Sequence, residues 1–77
     1  IFQLGRLYFN QGENQEAILQ FEKVLQINSS HLDSYYSLAL ALIKEGKREE
    51  AILALEKALA ISPDNQVIKK KLEELKP

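Results

Sequence analysis

The sequence predicts an all-α fold, an open array of five antiparallel-packed helices. Three observations carry that prediction: a 34-residue internal period, apolar residues at helical spacing inside each period, and a last segment with one narrow apolar line. Gly12 to Ile27 aligns with Gly46 to Ile61, and nine of those sixteen positions are identical. Residue frequencies of several per cent would give roughly one match by chance.

The first helix is expected over about residues 1–11. Its 34-residue pairing keeps chemical type: Leu4 with Leu38, Gly5 with Ala39, Tyr8 with Leu42 and Phe9 with Ile43. The second is expected over 15–28, where Ala17, Phe21, Val24 and Leu25 form the stripe of an amphipathic helix. Gly12 before it, and Gly46 in the second copy, suit the left-handed position that ends a helix.

The third helix is expected over 32–45. Leu38 to Leu42 alternates with alanine and could pass for a strand, but alanine favours helix, and the partner segment Leu4 to Tyr8 does not alternate. Ser30 and Asp33 have capping-box spacing, which predicts that the Ser30 hydroxyl satisfies a free amide at the helix start. The fourth helix, 49–61, repeats the stripe as Ala51, Leu55, Ala58 and Leu59. Ser62, Pro63, Asp64 and Asn65 separate it from the fifth, 66–76, because proline disfavours helical geometry in the residue before it. In that last helix Ile68, Leu72 and Leu75 are apolar and lysines and glutamates cover the rest, as suits the end of a stack.

With 77 residues, 10 Lys or Arg and 11 Asp or Glu, the chain has room for one small domain of formal charge −1. It has no cysteine, which removes disulfides, thiolate metal sites and cysteine nucleophiles and leaves the compartment unreported. The longest apolar run, Leu38 to Ile43, is six residues where about 20 are needed to span a bilayer, so no membrane insertion is expected. The start at Ile1 lacks a basic region and an initiator methionine, and the expectation is a piece of a longer protein rather than a signal peptide.

Chemistry finds few residues to work with. The single histidine, His31, shares a turn with Ser30 and Asp33, and residues adjacent along a turn do not converge as a catalytic triad. Glu49 with Glu50 and Glu73 with Glu74 point about 100° apart on their helices, so neither pair frames a substrate. One histidine without cysteine or a calcium-loop pattern implies no metal, and Gly5, Gly12 and Gly46 are too scattered to cradle phosphate. No enzyme activity and no cofactor are expected. Residues 1–34, 35–64 and 65–77 carry −2, −1 and +2. The lysine run Lys69 to Lys71 has no interleaved aromatics, which is too thin for nucleic acid.

Two series follow the same spacing. The first is Ile1-x₂-Leu4-Gly5-x₂-Tyr8, then Ala17-x₃-Phe21, then Ser29; the second is Tyr35-x₂-Leu38-Ala39-x₂-Leu42, then Ala51-x₃-Leu55, then Pro63. In these residues the chain resembles the tetratricopeptide repeat, a 34-residue helix–turn–helix unit. Ile1 and Tyr35 stand where tryptophan is typical, and Ser29 where proline is usual. The resemblance implies a right-handed α–α superhelix forming one domain over 1–77. Its parts would be an N-terminally truncated repeat over 1–31, a second repeat over 32–65 and a capping helix over 66–77.

The resemblance also implies a non-enzymatic protein-interaction module, within a larger scaffold or adaptor, whose concave groove is lined by the first helix of each pair. Groove candidates by that likeness are Phe2, Arg6, Phe9, Asn10, Tyr36, Leu40, Ile43 and Lys44, with Lys70 from the cap. Some members of the family grip a C-terminal carboxylate with Lys and Asn. The matching places here hold Phe2, Arg6, Tyr36 and Ser37, which is not that clamp. The expected partner is therefore a protein or peptide with an apolar or amphipathic segment bearing an acidic residue. The alternative is self-assembly, with copies stacking into homo-oligomers through the incomplete end at Ile1, Phe2 and Leu4.

Overall fold

Among the described residues five helices follow one another: α1 (Phe2–Asn10), α2 (Asn14–Ile27), α3 (Leu32–Lys44), α4 (Arg48–Ile61) and α5 (Gln66–Leu75). The computed structural model describes residues 1–76; Pro77, the last residue of the expected cap, lies outside them. Every helix boundary falls within one residue of its expected place.

The two copies of the repeat turn their chains in the same way. Gly12 adopts φ +81° and Gly46 φ +78°, the left-handed conformation that only glycine enters at little cost. Each turn is then closed by one long-reaching amide, Glu13 N–H to the Tyr8 carbonyl at 2.9 Å and Lys47 N–H to the Leu42 carbonyl at 2.8 Å. These bonds satisfy carbonyls that a helix end would otherwise leave unpaired.

At the start of α3 the cap differs from expectation. His31, not Ser30, is the capping residue: its Nδ1 accepts from the Ser34 amide at 3.2 Å. The Ser34 hydroxyl lies 2.7 Å from the same nitrogen. Ser30 instead donates its backbone N–H to Asn28 Oδ1 within the turn. The physical reason is the imidazole's second anchor, an edge-on contact with the Phe2 ring at 5.0 Å between centroids, which holds the ring over the helix start. Asn65 caps α5 in the ordinary way, its Oδ1 accepting from the Ile68 amide at 3.1 Å.

Packing runs between chain neighbours, α1 on α2, α2 on α3, α3 on α4 and α4 on α5, with α1 also touching α3. The molecule measures 28 × 25 × 16 Å, and its short dimension is about two helix layers. Half of the twelve core residues are alanine (17, 39, 41, 51, 54 and 58), which lets helix axes approach, while Phe21, Leu55, Leu38, Leu42, Ile68 and Leu72 fill the gaps. The alternating stretch of α3 resolves as a helix must. Leu38 and Leu42, four apart, enter the core, and Leu40 turns onto the opposite surface.

Candidate functional site

A hollow of about 370 Å³ lies between α1 and α3. From α1 come Phe2, Arg6, Phe9 and Asn10; Arg6 stands four after Phe2, and Phe9 and Asn10 stand three and four after Arg6, so they share one face. From α3 come Asp33, Tyr36, Ser37 and Leu40, again one helical face, and Phe21 of α2 contributes to the lining. Phe2, Phe9, Tyr36 and Leu40 are each half-buried, so they are held by packing yet still present apolar surface. Phe2 is fixed from two sides, by a tilted contact with Phe21 at 5.7 Å and by the His31 edge.

Opposite charges stand on the two walls, Arg6 on α1 and Asp33 on α3, both exposed. The two ion pairs among the described residues, Lys71 with Glu74 and Lys76 with Glu56, lie elsewhere and leave both groups available. Lys44 is beyond the lining, its ammonium 5.0 Å from the centroid of the Phe9 ring, a cation–π arrangement that puts a second positive charge near the hollow.

Six of the nine candidates thus line one hollow: Phe2, Arg6, Phe9, Asn10, Tyr36 and Leu40. Ile43 is half-buried against the core instead, and Lys44 reaches the site only through Phe9. Lys70 is exposed on α5 and joins neither this hollow nor the smaller one, about 210 Å³, between the starts of α3 and α5. That second hollow shares Asp33 and Tyr36 with the first, so these two residues form the ridge between them. Asp33, Ser37 and Phe21 are lining residues that the sequence reasoning did not name among the groove candidates. Asp33 was within reach, because it precedes Tyr36 by three and Ser37 by four.

On the opposite side, a broader hollow of about 530 Å³ separates α2 from α4. Its lining includes the nearly buried Leu38 and Leu42 and the exposed Leu53. The serine–histidine contact of Ser34 with His31 is structural: Ser34 is fully buried, its amide donates to His31 Nδ1 to cap α3, and its hydroxyl lies beside the same nitrogen.

A family model described as the tetratricopeptide repeat matches residues 2–66 of the 77. The chain belongs to the tetratricopeptide repeat family. No curated protein matches it. Tetratricopeptide repeats are protein–protein interaction modules, generally non-catalytic, and the five-helix array is a solenoid of that kind. In this tetratricopeptide domain α1 and α3 are the first helices of their pairs, and they form the walls of the hollow.

Proposed function

We propose that the hollow between α1 and α3 binds a segment of a partner protein, an amphipathic helix or extended apolar stretch carrying an acidic residue. The observation that supports this reading is the combination of half-buried aromatic walls, Phe2, Phe9 and Tyr36, with Arg6 exposed beside them and Lys44 over the Phe9 face. Aromatic side chains of this kind offer large contact area at small entropic cost, and each buried on binding contributes about 1.5–3 kcal/mol before ordering losses. A partner carboxylate reaching Arg6 would fix register by a two-pronged hydrogen bond. One short array then binds at roughly micromolar strength, and repetition in a scaffold would raise avidity.

Peptide display against the immobilised domain, followed by calorimetry on the selected sequences, tests the reading. Selected peptides should share an apolar anchor with a nearby Asp or Glu, and Tyr36→Ala should weaken them about tenfold or more with helicity unchanged. Peptides that bind the folded Tyr36→Ala variant as tightly as the parent would place the binding surface elsewhere.

A further inference from the structure

Resting on the groove reading above, we propose that the bound segment is extended and carries two opposite charges four residues apart. Its acidic residue meets Arg6, and its basic residue meets Asp33 with its alkyl stem in the hollow between the starts of α3 and α5.

Asp33 is exposed and takes part in neither of the two ion pairs among the described residues. It stands on the ridge that the two hollows share, one of about 370 Å³ toward α1 and one of about 210 Å³ toward α5. The smaller is walled by Leu32, Tyr36, Val67 and Ile68, and Val67 is 60% exposed. Asn65 also lines it, but its Oδ1 is already engaged in capping α5. Apolar walls beside one carboxylate fit a lysine or arginine, whose methylene stem covers apolar surface while its head seeks an acid. An apolar or acidic residue in the same place would desolvate Asp33 without a partner.

The spacing follows from the repeat. Arg6 is the 34-residue equivalent of Leu40, so the two stand at matching heights on α1 and α3. Asp33 precedes Leu40 by seven residues, which is two turns or about 10 Å toward the start of α3. The helices touch, and packed helices lie about 8–10 Å apart. Arg6 and Asp33 are thus separated along a diagonal of about 14 Å. An extended chain covers about 13 Å in four residues, and residues four apart point the same way from it. The residue midway between them also faces the domain, where Phe9 and Tyr36 offer half-buried aromatic surface to an apolar side chain.

An acid in the first turn of α3 also suits the helix dipole. The readout that separates the two roles is a charge preference in the ligand, which helix stability does not move.

The test is selection of a random nine-residue peptide library displayed on phage against the whole chain, then calorimetry with synthetic copies of the selected peptides. Selected sequences should pair Asp or Glu with Lys or Arg four residues away, around an apolar residue. Replacing the peptide's basic residue by Gln should weaken binding about threefold to tenfold to the parent, and less than twofold to Asp33→Asn. Circular dichroism should show the same helicity for Asp33→Asn as for the parent.

Peptides that lose affinity on Phe9→Ala yet show no basic residue at that spacing would overturn this proposal and leave the groove reading standing. Additive effects of the peptide and Asp33→Asn changes would do the same. Peptides indifferent to both Phe9→Ala and Tyr36→Ala, or a selection that yields none, would overturn the groove reading and this proposal together.

Discussion

Gly5 of α1 lies against the edge of the Phe21 ring of α2 so closely that a Cβ at position 5 would stand 2.7 Å from Cε1 and 2.9 Å from Cδ1. The second repeat solves the same contact with different sizes. Its equivalent residues are Ala39 and Leu55, both fully buried: one carbon more on the first helix, a smaller side chain on the second. Gly5→Ala should therefore destabilise by about 1–3 kcal/mol through overpacking. Combining it with Phe21→Leu should recover part of that loss, since the double variant reproduces the second repeat. Urea unfolding of the four-member cycle measures the coupling, and additive single effects would refute it.

His31 caps α3 through its Nδ1, with the ring steadied by Phe2. His31→Ala should lose about 1 kcal/mol, the usual value of an N-cap, and His31→Asn should retain most of it. Ser30→Ala should change stability by less than about 0.5 kcal/mol, because its side chain caps nothing here. Thermal denaturation of the three variants distinguishes the histidine cap from the serine cap that the spacing predicts.

Arg48, at the start of α4, donates from Nε at 2.6 Å to the Leu75 carbonyl at the end of α5, and its Nη2 reaches the same oxygen. A cation at a helix C-terminus also meets the negative end of the helix dipole. Arg48→Ala should therefore loosen α5 selectively: amide exchange there should quicken about fivefold to tenfold, with α2 and α3 little changed. Uniform acceleration along the chain would mean that the contact serves global stability instead.

Arg6 carries the charge selectivity of the proposed groove. Arg6→Glu should weaken acidic peptide ligands about tenfold and favour basic ones, because Asp33 already stands on the facing wall. Calorimetry with a matched pair of peptides, acidic and amidated, reads the change, and an unaltered preference would remove Arg6 from the recognition surface.

Gly12 and Gly46 share the left-handed backbone, and a Cβ at either would meet nothing within 4 Å. Alanine at each should thus cost about 1 kcal/mol from backbone strain alone. The two effects should add, since the turns are separate, and differential scanning calorimetry of the double variant checks the sum.

By itself the sequence determined the period, the five helices and their boundaries to a residue, the glycine turns and the identity of the core stripes. It did so because each depends on local spacing: a helix displays residues three and four apart on one face whatever surrounds it, and a copied stripe reports a copied environment. Tertiary structure decided the rest. Phe2 seats the His31 ring above α3, so the cap passed from Ser30 to His31. The approach of α1 to α3 admitted Asp33 and Phe21 to the hollow, while Ile43 turned inward and Lys70 stayed outside. Such placements depend on interhelical distance and angle, which are set by how Gly5 meets Phe21 and how Ala39 and Leu55 fill the core together, a sum over side-chain shapes that no single stretch of chain contains.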